Sequence, residues 1–591
     1  MRNRIASGLL FTGLAVGQIC SLPGSIFPPP QAAGESPILE RARRRFNYSL
    51  EQLTHPSGNA EQALISRDYT SFAIQIYSAS DPKPLLEHYQ SAKILKSVRR
   101  GVRSVDENTV FRVGSVTKLW TTLLLLIESG FSVIHEPVHK YVPQLQEFIG
   151  EVRADGGMEP NPIDVVEWED VTVGELISHT AGMERAFGVG DIATLAQIPP
   201  GLPPLPVSAI PPCGLTSPCT RSQFFSETLA RHPIFPTASG PAYSNDAFQL
   251  LRYVLESISG KSYKELLKDR LIKPLKLTRT SYDKPEDRVG IIPHWDTGWG
   301  ISMEDFSPAG ALYTSTKDLS TLGRAILNSE ILSPALTRRW LKPVAHTSDR
   351  TFSVGYPWEI FSFNDSIPTT LYTKAGDFLK YSAMIGLSPT HNIGFTIFAA
   401  GDNTTAAVWQ IADLVATIIL LALDDIANSE AQKRFGGVYA TENSTITILT
   451  DDRAGLGIAE WHNNGVNMRE TIGSLQSGGR PEELDIRLYP TGLEDDNRIS
   501  FRSIVSKASR MGPESGPLTR ACKAWLMVDD KVYGSVGVDE FVFRVGEDGV
   551  AVSIEPRALR MTLPREEVDS SGGSTGGSWP DHVYEEFIDT P

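Results

Sequence analysis

A chain of 591 residues is longer than a single domain ordinarily runs. With 41% hydrophobic and 21% charged residues and no low-complexity bulk, it is globular rather than disordered. A net charge of −15 excludes nucleic acid or an anionic membrane as the main partner, and solubility accounts for the acidity.

The chain opens MRNR, then IASGLLFTGLAVG, with small residues at Ala15 and Gly17. A basic start and a short apolar core predict a secretory signal over 1–17; the acid-free first 34 residues leave a mitochondrial presequence as rival. Residues 18–64, with Pro clusters and the basic run Arg41–Arg45, read as a linker leading into a helix. Tyr69–Ser78 (YTSFAIQIYS) reads as a strand, followed by a hairpin-like return.

Phe111–Glu128 (FRVGSVTKLWTTLLLLIE) follows. Ser115 and Lys118 are three apart and share a helical face. The run behind them is apolar nearly all round, so the helix is predicted buried and the pair rigid. A desolvated Lys loses its proton more readily and can take one from a Ser hydroxyl. Alone, this spacing reads as an N-cap Ser beside a surface Lys. Ser80–Lys83 and Ser281–Lys284 repeat it without an apolar helix behind them.

Further on, VTVGELISHTAGM predicts a helix capped by Thr172 and stopped at Gly182. The Pro-rich residues 196–218 predict an exposed insertion or flap. A helix is predicted over Arg221–His232. In AYSNDAFQLLRYVLESISG, Ser244 or Asn245 caps a helix stopped at Gly260, with Tyr243 and Asn245 in the preceding turn. Ser315 or Thr316 caps another running to Ile326. Tyr372–Leu387 and Phe395–Ala400, around the turn SPTHN, suggest two antiparallel strands with Lys374 on the first. Ala406–Leu423 is a long apolar helix for one face of that sheet. From about Asn428 the pattern changes to short β runs (445–450, 484–489, 498–501, 524–528), predicting a separate sandwich or barrel over 428–567. The tail from 568 to 591 reads as flexible.

Three motifs thus stand in order: Ser115-x-x-Lys118, Tyr243-Ser244-Asn245 and Lys374-Ala375-Gly376. Each alone has a plainer reading, as turn aromatic, helix cap or edge-strand charge. Together they resemble the serine β-lactamase and penicillin-binding-protein superfamily, most closely its class C β-lactamase, esterase and D-aminopeptidase branch. The resemblance covers roughly 65–427, and the C-terminal region resembles the β-domain of secreted fungal members. The longer Ser-to-Tyr interval departs from the family and is accounted for by the insertion. The resemblance implies an α/β (α+β) fold: an antiparallel sheet flanked by helices, an all-helical subdomain and a C-terminal all-β domain. It implies Ser115 as nucleophile, with Lys118, Tyr243 and Lys374 as one coupled titrating unit. Which of Tyr243 and Lys118 takes the Ser proton stays open. Asn245 is expected to orient Lys118 and bond the substrate. Ala375 and Gly376 allow close approach, and the backbone N–H groups of Ser115 and Asp377 form the oxyanion site. The Asp377 carboxylate beside it is unfavourable unless it turns away or pairs with Lys380.

The expected function is a secreted serine hydrolase for an ester, amide or peptide bond of a small molecule, without cofactor or metal. The alternatives are an acyltransferase of secondary metabolism and a silent binding relative. Cys213 and Cys219 bracket a short Pro-containing loop and are expected to pair, leaving Cys522 free once Cys20 is lost with the signal. Sequons at Asn47, Asn364, Asn403 and Asn443 are candidate glycosylation sites.

Overall fold

The computed structural model describes residues 21–566 except 56–62, 155–160, 196, 216, 294–297, 364–367, 478–483, 508–515, 517 and 519–520. The expected signal, Asn364 and the tail from 568 lie outside the described residues. The chain forms two compact units, one of Pro28–Asn428 and one of the described residues up to Phe27 together with those from Ser429 onward.

The first unit is organised on one antiparallel sheet of eight strands. In chain order these are β1 Ser71–Ser78, β2 Pro84–Gln90, β3 Ala345–His346, β4 Phe352–Val354, β5 Glu359–Phe363, β6 Thr369–Phe378, β7 Tyr381–Ser388 and β8 Ile393–Ala400. Their spatial order is β2-β1-β8-β7-β6-β5-β4-β3. β1, β7 and β8 are buried at every position, so both faces of the sheet centre are covered. On one face pack helix α1 (Pro37–Leu53) and the later helix Thr404–Phe435, through Leu39, Phe46, Ala407, Ile411, Val415 and Ile419. That long helix is apolar enough to cross a membrane, with a mean hydropathy of 2.1, yet its apolar side lies in this core.

The other face carries α2 (Thr117–Ser129), α3 (Asp246–Ser259) and α4 (Thr316–Leu327). Residues Thr117–Leu126 are all buried, as an apolar circumference requires. Each Leu removed from water there contributes about 2 kcal/mol. Gly260 ends α3 in the left-handed region (φ 67°), and the Ser315 hydroxyl caps α4 by accepting from the Asp318 N–H. Shorter helices, Pro143–Ala154, Val173–Ser178 and Arg221–Thr228, lie in the same helical region.

Several expectations need correction. The helix capped by Thr172 ends at His179 (φ 61°), four residues after the Glu175 of its capping box and before Gly182. Tyr372–Leu387 is not one strand but a hairpin turning at Leu379–Lys380, with Leu379 at φ 53°. No Gly, Pro or Asn marks that turn. Ala524–Leu526 is a single 3₁₀ turn with Trp525 exposed, not a strand. Cys522 is disulfide-bonded and not a free thiol, while Cys213 pairs with Cys219 at a Cα separation of 5.0 Å.

The second unit is an antiparallel meander: β9 Gly437–Thr441, β10 Ser444–Leu449, β11 Leu456–Asn463, β12 Leu484–Glu494, β13 Arg498–Lys507, β14 Glu540–Val545, β15 Ala551–Pro556 and β16 Leu563–Pro564, each paired with the next. A bridge between Tyr439 and Arg565 brings the last strand back to the first, so the sheet is nearly closed. Tyr439, Phe501, Phe541 and Phe543 are buried in it. Arg487 is ion-paired with Asp451 and Asp485; burial raises the Asp451 carboxyl, but its bonds from Arg487 and Arg453 hold it at about 2.

Candidate active site

The 3₁₀ turn Gly114–Val116 precedes α2 and carries Ser115, so the nucleophile candidate lies just before the helix rather than in its first turn. Thr117 fixes the turn: its hydroxyl donates to the Gly114 carbonyl (2.7 Å) and accepts from the Leu312 N–H (3.2 Å). Lys118, one residue into α2, is fully buried and its Nζ lies 2.9 Å from Ser115 Oγ. The same Nζ lies 2.6 Å from Asn245 Oδ1 and 2.7 Å from the Ala309 carbonyl. The other two Ser-x-x-Lys pairs have other partners: Ser80 contacts Ser78, and Lys284 pairs with Asp287.

The turn before α3 brings in Tyr243 and Asn245. Asn245 is the cap residue by position, but its side chain goes to Lys118; the Ser244 hydroxyl accepts the Ala247 N–H instead (3.1 Å). The Tyr243 hydroxyl faces Ser115 and Lys374, and both side chains favour its ionised form. Burial pushes its pKa up, with Lys374 opposing and Glu359 reinforcing, so at rest it is a neutral phenol. Burial also holds Lys118 well below the usual lysine range, aided by the Lys374 charge. Lys374 keeps its proton: burial opposes it, but the contact with Glu359 and the Tyr243 oxygen carry its pKa above the ordinary value.

Glu359 is the residue sequence reasoning missed. It begins β5, opposite Thr373 of β6. Among the described residues β6 pairs with no strand on that side beyond Thr373, and this edge meets the Ser115 turn. Glu359 covers part of this edge, accepting from Lys374 Nζ and, at 2.8 Å, from the Ala375 N–H. Alternate strand residues direct their backbone groups to the same edge. The Asp377 N–H therefore points the same way as that of Ala375, toward Gly114. The contact is close: a Cβ on Gly376 would lie 2.5 Å from the Ser115 nitrogen, and one on Gly114 2.7 Å from the Asp377 nitrogen. The Asp377 carboxylate accepts from the Ser382 (2.6 Å) and Thr405 (2.7 Å) hydroxyls, whereas Lys380 pairs with Asp402.

His179, from the ISHTAGM segment, was also missed as a site residue. It stacks on Tyr243 at 4.2 Å and its Nδ1 accepts the Ser244 N–H (3.1 Å). Burial, then the neighbouring cations, push its pKa well below the usual range, so it is a neutral platform and not a base. Away from the site a Ser–His–Asp set, Ser388–His391–Asp424, has bonds of 2.7 and 2.9 Å but is buried and ties a hairpin to a helix.

Glu184 and Asp246 form a buried acid pair behind the site, and Asp246 also lines a small cleft with Phe187, Leu215, Phe224 and Met303. Burial pushes both carboxyls up, Asp246 further because Glu184 is beside it. Unfolded, both ionise near pH 4; folded, they hold protons to higher pH. Stability therefore falls as pH rises from about 4 through the folded values. Glu184→Gln is expected to flatten that decline, read as Tm between pH 4 and 8; an unchanged slope contradicts a part for this pair in it.

Three interlocked motifs on an antiparallel sheet, with a buried Lys against a Ser, define a member of the serine β-lactamase and penicillin-binding-protein superfamily. The family model described as beta-lactamase matches residues 83–417, and that of a beta-lactamase-like C-terminal domain matches 427–567; the chain belongs to this β-lactamase-like hydrolase family. It is 29% identical to a beta-lactamase-like protein of Arthroderma benhamiae, over 92% of this chain and 95% of that one. It is 26% identical to the probable hydrolase M10 of a Phoma species, covering 92% and 91%. Among solved structures, a D-stereospecific amidohydrolase from Streptomyces aligns at a TM-score of 0.45 with 18% identity, covering 63% of this chain and 98% of that one.

Proposed function

We propose that the protein is a secreted acyl-serine hydrolase that cleaves an ester, amide or peptide bond of a small molecule. The observation that carries this is the proton accounting around Ser115. A neutral lysine amine has two N–H donors and one lone pair. The two acceptor-only neighbours of Lys118, Asn245 Oδ1 and the Ala309 carbonyl, take the donors. The lone pair is left for the Ser115 hydroxyl at 2.9 Å. Lys374 spends its three donors on Glu359, the Ala375 carbonyl and the Tyr243 oxygen. The Tyr243 proton is thereby directed at Ser115 Oγ.

The steps then balance. Ser115 Oγ attacks the carbonyl carbon and its proton passes to Lys118. The oxyanion is held by the Ser115 and Asp377 N–H groups, donors worth roughly 3–4 kcal/mol each. As the bond to the leaving group breaks, Tyr243 supplies the proton and becomes a phenolate between Lys118 and Lys374, now both charged. In the second step that phenolate takes a proton from water, the resulting hydroxide attacks the acyl carbon, and Lys118 returns its proton to Ser115 Oγ. Tyr243 is thus acid in one half and base in the other. The export reading rests on the opening residues, and the sequons Asn47, Asn403 and Asn443 are exposed.

The test is burst and steady-state kinetics on short p-nitrophenyl esters, D-amino-acid amides and nitrocefin. Esters or amides are expected to turn over and nitrocefin to trap the enzyme, because a bulky retained ring blocks water from Tyr243. Faster steady turnover of nitrocefin overturns the preference. Turnover only with an added alcohol or amine makes the protein an acyltransferase.

A further inference from the structure

The strand edge beside Ser115 is short. Beyond Thr373, which pairs with β5, Ala375 and Asp377 are the residues of β6 that turn their backbone groups to it. The Asp377 groups face the nucleophile turn: a Cβ on Gly114 would lie 2.6 Å from the Asp377 carbonyl oxygen and 2.7 Å from its nitrogen. Both Ala375 groups are engaged by side chains. The Ala375 N–H donates to Glu359 Oε2 (2.8 Å), and the Ala375 carbonyl accepts from Lys374 Nζ (2.7 Å). Through its other oxygen, Oε1, Glu359 is ion-paired with that same Nζ.

The ion pair therefore covers one residue of the edge completely, donor and acceptor alike. It leaves 1% of the Lys374 side chain and 18% of the Glu359 side chain exposed, so water does little to loosen it. An extended peptide that docks on a sheet edge takes its affinity from main-chain bonds in register. Charged side chains laid over an edge protect it from such partners. A peptide pairing with Ala375 has to displace Glu359 and leave the buried Lys374 charge without its partner. That costs more than one main-chain bond returns.

We infer that the Lys374–Glu359 pair is an edge cap and that Glu359 is thereby a specificity residue: it keeps an extended peptide from pairing along β6 and reserves the site for compact esters and amides. The inference narrows the acyl-serine reading above and rests on it. The Asp377 N–H stays available for the oxyanion, because the cap ends at Ala375.

The experiment uses two pairs of uncharged esters, with a peptide added on either side of the scissile bond in turn. One pair is p-nitrophenyl acetate and the p-nitrophenyl ester of N-acetyl-trialanine. The other is 4-acetoxybenzamide and 4-acetoxybenzoyl-trialanine amide. Glu359→Ala is expected to raise the extended-to-compact ratio of kcat/KM by about tenfold in at least one pair, mainly through KM. Glu359→Gln keeps an oxygen for the Ala375 N–H but loses the charge, and its ratio is expected to rise by about threefold. Should Glu359→Ala fail to fold, the glutamine variant decides. A role confined to placing Lys374 moves extended and compact esters together, and ratios unchanged in both pairs overturn the assignment. Labelling of Ser115 by a neutral fluorophosphonate, run in parallel, checks the hydrolase reading separately. Labelled protein with unchanged ratios sinks the inference alone; wild-type protein that neither labels nor turns over any of the esters removes both.

Discussion

Lys118→Arg is expected to lower acylation of Ser115 by about 10²–10⁴-fold. Arginine keeps a positive charge at the site but cannot accept a proton. If Lys118 served only to place a charge, the substitution would be mild. The wild-type enzyme carries the complementary sign in its pH profile. Burial holds Lys118 well below the ordinary lysine value of 10.5, and the Lys374 charge adds to this. Acylation is then full above that depressed value and is lost as pH falls through it. Folding stability follows the same group: the unfolded chain binds the proton that the folded one releases, so this contribution rises with pH until the unfolded lysine itself titrates. The check is the labelling rate of Ser115 by a fluorophosphonate from pH 5 to 10. Wild-type protein should show the ascending limb, and Lys118→Arg should lack it. An arginine variant with the wild-type rate and limb contradicts the base assignment.

Gly376→Ala is expected to cost both fold and function. The new methyl has no room, because the Val113 carbonyl and the Ser115 and Val116 nitrogens occupy its place. Backbone cannot swing aside as a flexible side chain can, so either β6 or the 3₁₀ turn must shift. A shift separates the Ser115 and Asp377 N–H groups that hold the oxyanion in the proposed mechanism. Removing one such donor lowers kcat by about 10²–10³-fold, and overpacking costs about 1–3 kcal/mol of stability. Steady-state kinetics on a short ester, beside thermal unfolding, measures both. A variant with wild-type kcat and Tm shows that the strand does not need this approach.

Much of the site was legible because its parts are local. Ser115 and Lys118 lie three residues apart where a 3₁₀ turn runs into a helix whose apolar run demands burial. Tyr243 and Asn245 sit where a helix with a clear Gly260 stop must begin. What was not legible is non-local. Glu359 is an unremarkable acid at a strand end in the sequence, and only the β5–β6 pairing sets it against Lys374. That contact sets the electrostatics: burial raises the Tyr243 phenol, the Lys374 charge opposes it, and Glu359 beside Lys374 offsets part of that opposition, so the phenol is held up at rest. The turn at Leu379–Lys380 carries none of the usual turn residues, so two strands read as one. The run AWLMV is apolar by type, yet Trp525 and Leu526 face solvent. The near-closure of the C-terminal sheet depends on a bridge between Tyr439 and Arg565, far apart in sequence.

The central claim is that Ser115 is acylated through Lys118 and released through Tyr243. The most direct measurement is intact mass and peptide mapping of Tyr243→Phe after incubation with p-nitrophenyl acetate. p-Nitrophenolate leaves without a proton at neutral pH, so acylation should proceed while release stalls. The account predicts one acetyl group accumulating on the peptide that contains Ser115, and on no other, with wild-type protein showing it only transiently. An acetyl group on another residue, or Tyr243→Phe releasing the acetyl as fast as the wild-type protein, would contradict it.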